Sequence, residues 1–317
     1  MSQAAVGLRK INKFGNLESR IEPVRPSDGV LVELVAERRR QVEALQKNQA
    51  DQLAATEARG QERLQSLRTS IGKDNARILQ EIESKAADEG RATETLVKEI
   101  RGRIALPSAP SLLVGHPGFN RPQLALLAQA AAWVTPYYAT LHGSDGSVYW
   151  QGYNPGTFTL YDSASGAGSG LFGTGAASFT VLLDWWFVFK TDTSRFYSES
   201  IYVPYNGYYI LQADDGWFTS KDAQTRVDMF AMGYQYNGKP TSTINLFSMD
   251  SQNINVDDRF DGWRAMYYSD LLGGGDTAYL LVSSHFFVYA RGGGSFSELN
   301  FADGNANHVG MPYVYVS

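Results

Sequence analysis

The chain has 317 residues, a formal net charge of −5 and 13% aromatic residues. It contains no cysteine, which excludes disulfide bonds and thiolate metal sites. Its acidic balance argues against nucleic-acid binding, because binding to a phosphate backbone needs a positive field.

Composition divides the chain into an aromatic-poor first part and an aromatic-rich remainder. Residues 1–118 contain one aromatic residue, Phe14, and all six tryptophans follow. Charge divides in the same way, with 19 basic against 16 acidic residues over 1–110 and 9 against 17 over 111–317. A chain of this length can hold two units, and we expect the two to differ in fold class.

Residues 1–30 predict an N-terminal docking segment, with a frayed tail as the alternative. Pro23 and Pro26 break the chain before a long helix, and termini usually fray unless a partner orders them. The sequence has no apolar run of signal-peptide length and none long enough to cross a membrane. We therefore expect a product of the cytoplasm that does not insert into membranes.

The stretch 31–106 predicts a coiled-coil stalk, because it is rich in Glu, Arg, Gln, Ala and Leu, which are strong helix formers. Its apolar residues fall at steps of three and four, a narrow stripe that suits a seam between identical helices. They are Leu31, Val35, Val42, Leu45, Leu64, Leu67, Ile71, Ile78, Ile82, Leu96 and Ile100. Arg38, Gln49, Asp74 and Glu89 fall on or beside the stripe, where polar residues reduce stability but can fix register and strand number. The alternatives are a solitary helix, or a helical hairpin that turns near Gly60 or Gly72.

Residues 107–136 predict a neck and a short collar helix. Pro107 and Pro110 end the long helix and stiffen the linker. Pro122 then suits the first turn of an amphipathic helix over 123–133. Eleven residues are too few to span a membrane, so we expect this helix to pack at the base of the following unit.

From Tyr137 onward, short runs rich in Tyr, Phe, Val, Ile and Thr alternate with turn signals such as Asn206-Gly207. They predict an antiparallel β-sandwich or jelly roll over 137–317. The run 179–187 is nearly all apolar, which indicates a strand covered on both faces, as where a sandwich also packs against neighbouring subunits. The Gly, Ala and Ser-rich stretch 163–177 predicts an exposed loop.

Few residues point to catalysis or to a metal. None of the four histidines has metal-ligand spacing, and His285 is expected to be a packed residue. Asp184 has apolar neighbours, so we expect it to pair with a cation such as arginine rather than to act in catalysis. The acidic stretch 257–262 predicts a solvated turn in which Arg259 forms an ion pair, with calcium binding as the alternative. We therefore predict no cofactor and no metal.

Nothing in the sequence defines an enzyme. A glycan hydrolase needs two opposed carboxylates, and one sequence does not say which acidic residues face each other. Neither a nucleophile elbow nor a phosphate-binding glycine loop is present. We predict a protein without enzymatic activity, with a polysaccharide depolymerase as the alternative.

Two short segments carry a resemblance to known families. Gly207-Tyr208-Tyr209-Ile210 and Gly275-Asp276-Thr277-Ala278-Tyr279-Leu280 resemble two strands of the jelly roll in tumour necrosis factor and complement heads. The order of rod, proline-marked neck and all-β head resembles trimeric bacteriophage fibres and spikes. The resemblance implies a homotrimer whose long parallel coiled coil is trimeric. It also implies a tail or head fibre in the virion, docked by its N-terminus on a virion structural protein and released by lysis.

Aromatic residues beside turns are the candidate receptor-binding residues. Tyr and Trp offer rigid apolar area with a polar tip, which suits sugar stacking and subunit contacts. Loops cluster at the ends of a sandwich, and we expect a cell-surface glycan or protein to bind there. The candidates are Trp217, Trp263, Asp215, Asp261 and Tyr236. The predicted function is a receptor-binding phage fibre or spike, with a depolymerase or a cellular trimeric adhesion or assembly module as alternatives.

Overall fold

The computed structural model describes residues 21–26, 29–72, 75–104, 132–134, 136–143, 148–154, 159–171, 174–214, 221–235, 239–251, 255–301, 308–310 and 314–317. A short strand, β1 (Ile21–Pro23), precedes two helices, α1 (Val30–Ile71) and α2 (Ala76–Ile104). The strands that follow are β2 (Ala132–Val134), β3 (Tyr138–Gly143), β4 (Val148–Asn154), β5 (Thr159–Ala167), β6 (Ala176–Thr191), β7 (Arg195–Gln212), β8 (Asp222–Tyr234), β9 (Lys239–Ser251), β10 (Asn255–Leu272), β11 (Thr277–Arg291), β12 (Phe296–Asn300), β13 (His308–Gly310) and β14 (Val314–Val316).

The strands form two antiparallel sheets. The first sheet has the order β1-β6-β11-β8-β9, and β3 also pairs with β6. The second sheet is built around β7, which pairs with β10 along one edge and with β14, β13 and β12 in turn along the other. Strand β5 lies beside β12 and β13, β4 lies beside β5, and β2 lies beside β14.

The main core lies between the two sheets and follows from the alternation of side chains along each strand. Trp185 and Phe187 of β6 face inward and share one buried cluster with Val203 and Leu211 of β7. The intervening residues of β6, such as Trp186, face the opposite side and are buried as well. The nearly continuous apolar run in β6 therefore has two covered faces.

Helix α1 covers the outer face of the first sheet. Leu31, at its start, packs in one cluster with Trp186 and Val188 of β6 and with Leu281 of β11. Further along, Thr180 Oγ1 donates to Gln49 Oε1 at 2.6 Å. The N–H of Ala176 then donates to Glu57 Oε1 at 3.2 Å. The helix therefore runs along β6 in the opposite direction to the strand.

Helix α2 covers the outer face of the second sheet. Val97, Ile100 and Ile104 pack against Tyr208 and Ile210 of β7, with Phe296 of β12 in the same cluster. Near their junction the helices contact each other, where Arg68 and Glu83 form an ion pair at 2.7 Å. One helix thus lies on each outer face of the sandwich.

The predicted long parallel coiled coil is wrong, because the helical stretch folds back on the sheets of its own chain. Helix α1 ends at Gly72, whose φ of 71° lies in the left-handed region. The chain turns near Gly72, as the helical-hairpin alternative expected, but the described helices contact each other near that turn and otherwise lie on opposite faces of the sandwich. The apolar stripe indicates that one face of the helices is buried, but it does not indicate which surface covers that face. Two polar residues within the stripe, Arg38 and Gln49, form hydrogen bonds with β6.

Three predicted loops also lie inside strands. Asn206 and Gly207 belong to β7, where a Cβ on Gly207 would lie 2.6 Å from the carbonyl oxygen of Asn300. Part of the stretch 163–177 is strand, and Leu171 within it is buried. The acidic stretch 257–262 lies in β10, where Asp257 accepts a hydrogen bond from Arg103 at 2.8 Å. Strand pairing overrides the local turn preference at these positions.

Other predictions remain open. Residues 1–20 and most of the predicted collar helix lie outside the described residues, although Ala132 and Trp133 belong to β2. The predicted boundaries at residues 30, 106 and 136 stay predictions. Neither α1 nor α2 contains a stretch apolar enough to cross a bilayer.

Candidate functional site

A polar pocket of about 310 Å³ lies between α2 and one end of the second sheet. We call it the rim pocket. Strands β7 and β10 meet at this end, where Gln212 and Asn255 are directly paired. The residues that line the pocket are Glu89, Ala92, Thr93, Leu96, Gln212, Asp214, Lys221, Asn255 and Gly294.

Asn255 and Asp214 form an oriented pair at the pocket. Asn255 Nδ2 donates to Asp214 Oδ2 at 2.6 Å. Asn255 Oδ1 accepts from the backbone N–H of Ala213 at 3.2 Å, which fixes the orientation of the amide. The pair therefore presents donor and acceptor groups side by side.

Gln212 is a buried, uncharged polar side chain of the pocket. It follows Tyr208 and Ile210 at intervals of two along β7, so it faces α2 as they do. The residue is 2% exposed, and its Oε1 accepts no hydrogen bond from any group that the structure describes. A buried acceptor without a donor costs about 1–3 kcal/mol, so a ligand that brings a donor would be favoured here once the amide turns this oxygen towards the pocket.

Lys221 and Glu89 form an ion pair in the wall of the pocket, with Nζ and Oε2 2.8 Å apart. The Lys221 side chain is 4% exposed. Gly294 makes room for it, since a Cβ there would lie 3.2 Å from Nζ, and its φ of 83° also disfavours other residues. Thr93 Oγ1 donates to the carbonyl oxygen of Gly294 at 2.9 Å and ties the turn to α2.

The structure places the predicted receptor residues unevenly with respect to this pocket. Asp215 and Trp217 lie outside the described residues, but the segment 215–220 joins Asp214 to Lys221, and both of these line the pocket. Tyr236 also lies outside the described residues. Asp261 and Trp263 lie inside β10 rather than in a loop, paired with Asn206 and Pro204.

Asp261 and Trp263 do not join the rim pocket. Trp263 is eight residues from Asn255, which corresponds to about 26 Å along a strand. Sequence reasoning missed Gln212, Lys221 and Asn255, whose residue types carry no motif. The available signal was the position of all three beside the 215–220 and 252–254 connections, at strand ends.

A second polar cluster, buried between α1 and β6, is a structural attachment. Arg38 Nε and Asp184 Oδ2 lie 2.9 Å apart, and Arg38 Nη2 donates to Ser283 Oγ at 3.0 Å. This confirms the expected pairing of Asp184 with an arginine. Burial alone would raise the pKa of Asp184, but His142, whose Nε2 lies 3.5 Å from Oδ2, and the charge and hydrogen bonds of Arg38 hold it below its usual value.

His285 lies half-buried on the outer face of the first sheet. Burial, followed by the charge of Arg226, lowers its pKa to about 4, so the imidazole is neutral at pH 7. Among the residues that the structure describes, no group of three His, Asp or Glu side chains is arranged to hold a metal ion.

Comparison with known proteins gives weak structural likenesses. The chain is similar to the carbohydrate-binding module TmCBM61, solved with beta-1,4-galactotriose, at a TM-score of 0.21 and 10% identity over 58% of this chain and 90% of that one. It is similar to the Eiger tumour necrosis factor of S. frugiperda at a TM-score of 0.15 and 14% identity, over 53% and 95% of the two chains.

A third likeness is to the GH31 alpha-xylosidase of Xanthomonas citri, at a TM-score of 0.14 and 11% identity over 59% of this chain and 20% of that one. No protein-family model and no curated protein matches the sequence. At TM-scores this low the likenesses carry no argument about fold or function, so the function is argued from the rim pocket itself.

Proposed function

We propose that this chain is a glycan-binding protein without enzymatic activity and that the rim pocket holds the sugar. The observation that carries the proposal is the buried Gln212 oxygen, which lacks a donor and lines a pocket together with the oriented Asn255–Asp214 pair. Binding sites for small polar ligands combine a concave surface with a few well-placed polar groups, and the rim pocket has both.

A sugar suits these groups because each hydroxyl can donate one hydrogen bond and accept others. Asn255 and Asp214 offer an amide N–H and carboxylate oxygens next to each other, which matches two adjacent hydroxyls. Gln212 Oε1 would accept from a third ligand group deeper in the pocket. Trp217 and Asp215 lie outside the described residues, and their part in glycan binding stays a prediction.

The test is oligosaccharide binding by the full chain, first on a glycan array and then by calorimetry. Gln212→Ala and Asn255→Ala should each weaken binding about 10-fold or more, the cost of leaving polar partners unpaired. Gln41→Ala, on the exposed face of α1, is the matched control and should bind like the parent. If no oligosaccharide binds the parent chain, the proposal is wrong.

The absence of enzymatic activity is tested with the same ligands. Incubation of the chain with each oligosaccharide or polysaccharide that it binds should release no new reducing ends. Release that depends on Asp214 or Glu89, the two carboxylates among the described residues that line the pocket, would favour the depolymerase instead.

We further propose that the glycan lies on a host cell surface and that the chain is a receptor-binding part of a phage particle. Support comes from the resemblance of the segments 207–210 and 275–280 to jelly-roll heads. Mass spectrometry of purified particles tests this location, and pull-down with the first 30 residues tests the predicted docking on a virion structural protein.

The predicted homotrimer also remains a proposal, without a coiled-coil seam. The described surface carries three large apolar side chains on the outer face of β7 and β10: Phe196, Tyr267 and Leu271 are 72%, 66% and 53% exposed. Such a patch supports contact with another copy. Sedimentation equilibrium at micromolar concentration should give a trimer, and Phe196→Ser should shift it towards monomer.

A further inference from the structure

We infer that the rim pocket selects sugars that carry no anionic group and rejects uronates and sulfated sugars. This rests on the proposed function and adds the chemical class of the ligand. Two separate features of the pocket lead to it, its charge and its buried acceptor.

The charge of the pocket is unfavourable to anions. Two carboxylates line it, those of Glu89 and Asp214, and among the described lining residues the one cation is Lys221. The Lys221 ammonium group is 2.8 Å from Glu89 and its side chain is 4% exposed, so its charge is already matched within the wall. Asp214 is exposed at the mouth. An anionic group on the ligand would therefore meet an unpaired negative charge.

The buried acceptor acts in the same direction. Gln212 Oε1 needs a hydrogen-bond donor, which a hydroxyl, an amide N–H or an ammonium group supplies and a carboxylate or sulfate oxygen does not. Sites that pair a buried polar group with the ligand reject analogues that lack the partner more strongly than apolar pockets reject a change of size. The discrimination is thus expected for the group that enters deepest as well as for the group at the mouth.

The test uses matched ligands and the full chain. Neutral glucose-type oligosaccharides and oligosaccharides of equal length that contain glucuronate are titrated by calorimetry at low and at moderate salt. The parent should bind the neutral series at least about 10-fold more tightly, and added salt should narrow the difference because it screens exposed charge. A sulfated series of equal length should follow the glucuronate series.

Asp214→Asn is the informative variant, since it removes one negative charge from the mouth while keeping a polar partner for Asn255. It should narrow the preference for the neutral series, chiefly by improving binding of the glucuronate series. Asp51→Asn is the matched control, because it changes the net charge equally on the exposed face of α1 and should leave the preference unchanged. Melting profiles check that both variants are folded.

The outcomes separate the inference from the proposed function. Equal or tighter binding of the acidic series by the parent overturns the inference and leaves glycan binding standing. The inference is also overturned if Asp214→Asn and Asp51→Asn change the preference for the neutral series by the same amount. The net charge of the chain, rather than the rim pocket, would then cause the preference. Failure of both series to bind the parent, when no oligosaccharide of the array binds either, overturns the proposed function, and the inference with it. If another neutral oligosaccharide of the array binds, it and a glucuronate-containing oligosaccharide of equal length take the place of the glucose series in the same comparison.

Discussion

Asp184 is the residue on which the attachment of α1 to the first sheet most depends. It is fully buried and bonds to Arg38 through two hydrogen bonds of 2.9 and 3.3 Å. Removal of one partner leaves a buried charge uncompensated, which costs about 3–5 kcal/mol. We expect Asp184→Ala to lower the free energy of unfolding by about this amount in urea denaturation.

Two further variants test whether the unpaired buried charge causes the loss of stability in Asp184→Ala. Asp51→Ala breaks the Lys47–Asp51 pair, whose side chains are 75% and 61% exposed, and should cost less than about 1 kcal/mol. The double variant Arg38→Met with Asp184→Leu should recover most of the loss, because no unpaired charge remains. A double variant as unstable as Asp184→Ala would show that the charge is not the cause.

His285 contributes a pH dependence whose sign is fixed by its lowered pKa of about 4. An unfolded histidine has a pKa of about 6.5, so between these values the unfolded chain binds the extra proton. The stabilisation is complete above about pH 6.5 and is lost as the pH falls towards about 4. From pH 7 to pH 5 the loss from this residue should be about 2 kcal/mol. In urea unfolding at both pH values, His285→Gln should lose less stability than the parent, and an equal loss would contradict the assignment.

Glu199 contributes a pH dependence of stability with the opposite sign to that of His285. It is 2% exposed, it faces the main core between Tyr197 and Ile201, and burial followed by the charge of Asp270 raises its pKa well above the usual value. The folded chain then holds a proton that the unfolded chain releases above about pH 4.5, so stability is lost as the pH rises. Glu199→Gln should therefore raise the melting temperature at pH 7 more than at pH 4, and an equal effect at the two values would contradict this.

At the scale of elements, the sequence predicts the position of β6 but not the elements that surround it. The sequence predicts a strand over the apolar run 179–187, and β6 spans Ala176–Thr191, because a long run of apolar and β-branched residues suits a fully buried strand. That both faces of β6 are covered also follows from its composition. The identity of the element that covers the outer face cannot be predicted from the sequence, because an apolar stripe on a helix looks the same whether the helix packs on another helix or on a sheet.

The rim pocket illustrates the same limit. Gln212 and Asn255 come from the ends of two paired strands, and Glu89 comes from a helix far from both in the chain. A single sequence gives the polarity of each residue but no pairing between strands, so it cannot bring these side chains together. The sequence could predict only that candidate residues lie near strand ends.

Two glycines, Gly294 in the rim pocket and Gly90 next to Glu89 in α2, should respond oppositely to substitution by alanine. Gly90 lies inside α2 with nothing within 4 Å of a Cβ, so Gly90→Ala should stabilise the chain by about 0.5–1 kcal/mol through helix propensity. Gly294 has a positive φ and a close Lys221 Nζ, so Gly294→Ala should destabilise it. Thermal unfolding of both variants measures the difference, and a destabilising Gly90→Ala would mean that α2 is packed differently.

At the scale of the whole molecule, the two helices cover the outer faces of the sandwich instead of forming a separate stalk. Leu31 and its neighbours in α1 shield Trp186 and Leu281, and Val97 and Ile100 in α2 shield Tyr208 and Ile210. Without the helices these apolar side chains would face water. The ion pairs of Arg38 with Asp184, Arg101 with Glu298 and Lys221 with Glu89 would also lose a partner.

A fragment of residues 132–317 should therefore fail to fold as a soluble monomer. Exposure of about four large apolar side chains costs about 1.5–3 kcal/mol each, which together is comparable with the whole stability of a domain, about 5–15 kcal/mol. Size-exclusion chromatography, dye binding and thermal melting compare this fragment with residues 21–317, which keep every described contact. Addition of a separate peptide of residues 29–104 should restore solubility and a cooperative transition. A fragment 132–317 that is monomeric and melts near the temperature of the longer chain would show that the sheets are stable alone and that the helices serve another purpose.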